Sequence, residues 1–230
     1  MALFEDLKAT CPDAWTAYTR HPFVIGMGRG DLPEAVFRQY LIQDYHFLIH
    51  FARAYALAGY KAETPDDLRR AKEGMAAILD VELSLHIDYC RRWGLREADI
   101  LAAPEAEACL AYTRYVLERG MAGSLLDLHV ALAPCMLGYA EIAAWLLEQP
   151  WRLREGNPYQ EWIEMYSGEE YRAAAGDERA YLDALAARES VGDHRRASLA
   201  RTFAEATRLE GRFWSMGYEL AGETVPTAAD

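Results

Sequence analysis

The segment Ala133-Pro134-Cys135-Met136-Leu137-Gly138-Tyr139 sets a proline beside a thiol in the middle of an apolar, helix-patterned run from Ser124 to Gln149. Proline inside a helix costs ~3 kcal/mol, because it removes one hydrogen bond and its ring meets the carbonyl four residues back, here that of Val130. The run is predicted to bend at Cys135. Cys135 and Tyr139 are four residues apart and share a helix face, so a thiol and a phenol point together toward whatever the bend encloses. That arrangement reads as a pocket; on these residues alone, a buried cysteine on a bent core helix is the equal alternative.

Two carboxylates stand where apolar residues are expected. The residues three, four and seven away from Asp44 are Phe37, Tyr40, Leu41, Phe47, Leu48 and Phe51, an aromatic stripe on one helix. Glu210 is flanked at the same spacings by Phe203, Ala206, Thr207, Phe213, Trp214 and Gly217. Both acids are predicted to be buried. A buried carboxylate either finds a partner or takes up a proton, so each is a candidate acid or base, with internal hydrogen bonding to tyrosine or backbone as the alternative. Tyr112, Tyr139 and Tyr166 could ring a planar heterocycle, stacking on its faces and donating to its polar edge. Glu82 and His86, at i and i+4, could offer two metal ligands from one helix, but the repeated Glu and Glu-x-x-His ligands of a helical di-iron site do not recur. No metal site is predicted. His129 lies six residues from Cys135, about 240° around the helix, so the base for that thiol must come from another helix.

Helical periodicity recurs along the chain and no segment alternates for long enough to nucleate a sheet, so the expected fold is all-α. Helices are expected over about 5–19, 31–61, 64–94, 104–121, 124–149 and 192–219, with shorter pieces after Pro158 and around 169–187. Asp31 with Pro33, and Thr64 with Pro65, read as helix starts. Gly120 and Gly123 bracket a tight turn, and 151–158 reads as loop. One domain over residues 1–220 with a flexible tail over 221–230 fits the length of 230 residues. Hydrophobic residues make up 52%, and 24 basic against 36 acidic residues leave a net charge of −12. That balance argues against nucleic acid and anionic membrane as partners; Arg91-Arg92 and Arg195-Arg196 read as solvated surface pairs. The start, Met1 to Asp6, has neither a basic nor an apolar leader region, and no uncharged apolar run approaches the ~18 residues of a membrane span. A cytoplasmic protein is expected, with Cys11, Cys90, Cys109 and Cys135 reduced.

Taken together, the residues resemble the TenA family, also called thiaminase II, from Phe4 to about Leu220. The matching pieces are Gln43-Asp44-x-x-Phe47-Leu48, Glu82-x-x-x-His86, Tyr112, Pro134-Cys135-x-x-x-Tyr139, Tyr159-x-x-Trp162-Ile163-x-x-Tyr166 and Glu210-x-x-Phe213-Trp214. The resemblance implies a helical bundle of the haem-oxygenase type, usually a homotetramer, that uses no haem or metal. It also implies hydrolysis of thiamin or of aminopyrimidine to hydroxymethylpyrimidine. By the same resemblance Cys135 would add to the pyrimidine ring and Glu210, helped by Tyr112, would protonate a ring nitrogen. Asp44 would accept from the exocyclic amine and activate the thiol, while Tyr139, Tyr166 and Phe47 line the pocket. Many members similar to this one carry tyrosine at the place of Phe47, whose ring keeps the shape and lacks the hydroxyl. Two other classes stand beside this reading. One is a metal- or haem-dependent oxidase using Glu82 and His86; the other is a non-enzymatic regulatory or pyrimidine-binding protein, which would have no need of a nucleophile.

Overall fold

The computed structural model describes residues 2–226, and every regular element among them is helical. In chain order these are α1 (Leu3–Ala9), α2 (Pro12–Thr19), α3 (Pro22–Arg29), α4 (Glu34–Lys61), α5 (Pro65–Ala76), a π-helical turn (Ala77–Glu82), α6 (Leu83–Arg92), α7 (Glu97–Ala102), α8 (Glu107–Ala122), α9 (Leu125–Glu148), α10 (Gln160–Ser167), α11 (Glu169–Arg188) and α12 (Asp193–Ala221). The all-α expectation holds. The expected tail starts where α12 ends, and its residues 227–230 lie outside the described residues, as does Met1.

The helices α4, α8, α9 and α12 pack on one another in every pairing and enclose the core. Around them α5 lies on α4, α2 on α12, and α10 and α11 on α9. The centre is aromatic: Phe23, Phe37, Tyr40, Trp162, Phe213 and Trp214 are almost wholly buried. By length and composition α9 could cross a membrane, with 24 residues and a most apolar window of mean hydropathy 1.6, yet 61% of that window is buried in the bundle. It is a core helix here.

The starts and breaks of the helices follow local chemistry, and several differ from expectation. The stretch expected as one helix over 5–19 is two, because Pro12 has no N–H to continue α1 and takes the first turn of α2 instead. Helix α3 was not foreseen; Pro22 opens it and the His21 ring accepts from the Phe23 amide at 3.2 Å. Asp31 caps nothing on α4, which begins at Glu34 after an extended Pro33. Thr64 does cap α5, accepting from the Asp67 amide at 3.1 Å. The single helix expected over 64–94 is interrupted by the π-helical turn, whose wider winding rotates everything after it. Ser124 caps α9 in a reciprocal box: its hydroxyl accepts from the Leu126 amide, and Asp127 accepts from the Ser124 amide at 2.7 Å. The buried Asp127 also receives Arg195 at 2.7 Å, so Arg195 is an anchor rather than a solvated surface charge. Arg91 and Arg92 are exposed as expected, in surface ion pairs with Asp88, Glu97 and Glu161.

Helix α9 runs without a break through Pro134. The Tyr18 hydroxyl on α2 donates to the Pro134 carbonyl at 3.1 Å. Tyr18 reaches that carbonyl only because residue 138 is glycine, since a Cβ there would come within 2.5 Å of the Tyr18 ring.

Candidate active site

Helix α4 carries Asp44, α8 carries Tyr112, α9 carries Cys135 and Tyr139, α10 carries Tyr166 and α12 carries Glu210. The four-helix core therefore brings together side chains from distant parts of the sequence. Both acids are buried as the apolar stripes imply, Asp44 being 8% exposed and Glu210 1%. Cys135 is partly buried, while Cys11, Cys90 and Cys109 are buried outright.

Glu210 is the point of convergence. The Tyr112 hydroxyl donates to its Oε1 at 2.8 Å, and the Cys135 thiol lies near enough to feel the charge of the same carboxyl. Burial pushes the Glu210 pKa up to about 8 against the pull of the Tyr112 hydrogen bond, with the negative charge of Asp44 adding to the rise. Glu210 thus holds a proton near neutrality. Burial also pushes Asp44 up to about 7, partly offset by a hydrogen bond from Tyr40, whose oxygen receives the Trp162 indole N–H at 3.3 Å. The Cys135 thiol is raised well above its ordinary range, first by burial and then by the carboxylates of Glu210 and Asp44. A bare thiolate is disfavoured in such a site, so the thiol needs a positive charge or a base before it can attack.

Aromatic rings fill in around these groups. Tyr139 meets Tyr166 at a centroid distance of 4.8 Å, Trp214 at 5.3 Å and Trp162 at 5.5 Å. Phe47 lies 5.1 Å from Tyr112 and 5.7 Å from Phe213. Such walls suit a flat heterocycle and exclude water from the acids. Two open hollows in the surface, of about 290 and 500 Å³, include none of Cys135, Asp44 and Glu210 in their walls.

The structure adds residues that sequence patterning did not single out. Tyr40, one turn before Asp44 on the same stripe, lies beside that acid, and the two shift each other's pKa. Tyr171 packs edge-on against Tyr166 at 4.8 Å and senses the charges of Cys135, Glu82 and Glu210. His86, considered only as a metal ligand with Glu82, faces Asp44 instead: its Nδ1 lies 3.5 Å from Asp44 Oδ2, and its Nε2 is 2.8 Å from the Leu41 carbonyl. No group of three or more His, Cys, Asp or Glu side chains among the described residues is placed to hold a metal ion. Gln43 clamps the approach to α8, donating to the Pro104 carbonyl at 3.0 Å and accepting from the Ala106 amide at 2.8 Å. It thereby fixes the helix that carries Tyr112.

The sequence model of the TENA/THI-4/PQQC family matches residues 9–220, a span that contains every site residue named above. The chain belongs to that family. Among its TenA relatives, the aminopyrimidine aminohydrolase of Halalkalibacterium halodurans is 36% identical over 219 residues, covering 95% of this chain and 96% of that protein. An uncharacterized protein of Haemophilus influenzae is 40% identical over 219 residues, 95% of this chain and all of that one. The crystal structure of a TenA family transcription regulator from Silicibacter sp. TM1040 superposes with a TM-score of 0.87 at 42% identity, covering 94% of this chain and 96% of that one. The TenA fold is therefore shared along nearly the whole chain.

Proposed function

We propose that this chain is a thiaminase II-type hydrolase of C–N bonds, acting in thiamin salvage. It would release 4-amino-5-hydroxymethyl-2-methylpyrimidine from thiamin or from the corresponding aminomethylpyrimidine by cysteine addition to the ring. The observation that carries this reading is one buried, proton-holding carboxyl, Glu210, that accepts from the Tyr112 hydroxyl and is electrostatically coupled to the Cys135 thiol. The aminohydrolase relative supports the same reaction class.

A 4-aminopyrimidine has a ring nitrogen to protonate, an exocyclic amine that donates, and two faces for stacking. In the proposed sequence Glu210 gives its proton to the ring nitrogen and becomes a carboxylate. The ring, now cationic, is electrophilic and also favours a thiolate beside it. Cys135 loses its proton to Asp44 and forms a carbon–sulfur bond with the ring, which neutralises the ring charge. Electrons return from the ring to expel the group on the exocyclic methylene, the thiazole leaving as the neutral ring or the amine taking the proton from Asp44 and leaving as ammonia. Water then adds at that methylene, its proton passing to Asp44 or to solvent; the thiolate leaves and is reprotonated by Asp44, and the ring nitrogen returns its proton to Glu210 as the ring regains its aromaticity. Asp44 holds the substrate's amine throughout, and Phe47, Tyr139 and Tyr166 line the pocket. No metal or other cofactor enters this scheme. Thiamin and aminomethylpyrimidine share the ring that these residues address and differ in the leaving group.

The test is to incubate the purified protein with each compound and follow the hydroxymethylpyrimidine formed. Cys135→Ser should abolish turnover and leave ligand affinity nearly unchanged, since serine is close in shape and far less acidic. Hydrolysis at the wild-type rate by that variant would end the covalent scheme. A role as a transcription regulator, the description given to the Silicibacter relative, gains no support from a net charge of −12. We further read the protein as a cytoplasmic homotetramer. Exposed Leu68, Leu79, Val81 and Leu85 offer apolar surface for self-association, which sedimentation would measure.

A further inference from the structure

The π-helical turn Ala77–Glu82 leads straight into α6, and π turns recur where a helix must aim a side chain at a site. One turn into α6 stands His86, with both ring nitrogens accounted for. The Leu41 carbonyl, 2.8 Å from Nε2, can only accept, so Nε2 carries a hydrogen. In the neutral ring Nδ1 then presents a lone pair, and what it faces at 3.5 Å is Asp44 Oδ2, another acceptor. The two side chains are 8% and 12% exposed, so water does little to ease that opposition. One proton between them resolves it.

The other titratable groups that feel Asp44 offer no alternative. They are Tyr40 on α4, Glu82 at the end of the π turn, Cys90 on α6, Cys109 on α8, Cys135 and Tyr139 on α9, Tyr166 on α10 and Glu210 on α12. All are acids. Among the described groups facing Asp44, His86 is the one base.

We propose that His86 and Asp44 share a single proton, and that His86 is the positioning residue that lets Asp44 ionise inside this acidic pocket. With the proton on Nδ1, Asp44 is a carboxylate beside an imidazolium, able to hold the substrate's amine and to take the proton of Cys135. With the proton on Asp44 both groups are neutral. The shift between these forms moves one proton across one contact and leaves the net charge of the pocket unchanged, whereas a lone Asp44 would have to ionise beside Glu82 and Glu210 uncompensated. The use made of the shared proton rests on the hydrolase reading; the sharing itself does not.

Two measurements separate them. In protein labelled with ¹⁵N in its imidazoles, the His86 Nε2 should stay protonated throughout while Nδ1 titrates, and Asp44→Asn should leave Nδ1 unprotonated across the range. An Nδ1 that never takes a proton in the wild type, or that titrates identically in Asp44→Asn, overturns the proposal. The second measurement uses His86→Gln, whose longer amide can keep the bond to Leu41 while removing the group opposite Asp44. Alkylation of Cys135 by iodoacetamide, and hydrolysis if present, should fall about tenfold or more near neutral pH and recover as the pH rises, a loss within the range for acid–base groups. A pH profile parallel to that of the wild type would make His86 a packing residue. Should His86→Gln fail to fold, the imidazole spectra of the wild type and Asp44→Asn decide alone. The expected titration in a protein that hydrolyses neither compound would uphold the shared proton and discard the hydrolase reading.

Discussion

In the proposed scheme Cys135 acts only through its neighbours, and each neighbour makes a separate prediction. Glu210→Gln keeps a hydrogen-bonding group for Tyr112 but has no proton to give, so kcat should fall by ~10²-fold or more in steady-state assays. A loss below about fivefold would reduce Glu210 to packing. Phe47→Tyr adds a hydroxyl to a ring that is 6% exposed and set against Tyr112 and Phe213. If that oxygen supports the thiolate, kcat should rise by the worth of one charged hydrogen bond, ~1.5–3 kcal/mol at most, and the gain should vanish in a Cys135→Ser background. A lowered melting temperature with unchanged kcat would mean that position 47 is filled for shape alone. The burial of Asp44 and Glu210 was legible in the sequence, because an acid among aromatic residues at helical spacing leaves it no other place. Their partners were less so. A helix wheel says which face a residue occupies; it does not say that Tyr40 will turn to Asp44 or that α6 will bring His86 across.

At the scale of elements, the long helices were readable from periodicity and the breaks between them were not. Pro12 ends one helix and opens another in a stretch whose apolar spacing continues across it, and the π turn shifts the winding by too little to disturb the pattern of six residues. What periodicity did pick out is α9, where Pro134 and Gly138 act together. Proline leaves the helix short of a donor, and glycine makes room for Tyr18 to reach the Pro134 carbonyl. Gly138→Ala should displace the Tyr18 ring and destabilise by ~1–3 kcal/mol as an overpacked core does. In a chain of this length that is several degrees of melting temperature by calorimetry, on the scale of ~2–4 °C per kcal/mol. Because Tyr18 braces the turn before Cys135, kcat should fall with it; unchanged melting would show that α2 moves away at no cost.

For the whole molecule, the two buried acids of the candidate site set a cost that depends on pH. Asp44 and Glu210 have folded-state values of about 7 and about 8, above those of an unfolded carboxyl, so the folded chain binds more protons than the unfolded one between those limits. Stability from these groups is complete below the unfolded value and declines as pH rises through the folded one. Buried His21 and His86, lowered by desolvation, act in the opposite sense but only below the ordinary histidine value of ~6.5. Glu178, buried and held below its ordinary value by His129 and Arg70 despite desolvation, adds stability that is lost only in acid. The melting temperature should therefore fall from about pH 6.5 to 8, and Glu210→Gln should flatten part of that fall; an equally steep decline in the variant would place its cause elsewhere. The same molecule also joins parts that the chain makes far apart in time. The Tyr112 hydroxyl meets Glu210 across 98 residues, and the Leu3 amide meets Asp183 across 180. Since α12 is the last helix among the described residues and carries Glu210, a chain that has built only α4, α8 and α9 lacks the proton donor of the proposed scheme. In that scheme activity waits for α12 to dock, and refolding followed by activity should lag refolding followed by helix content.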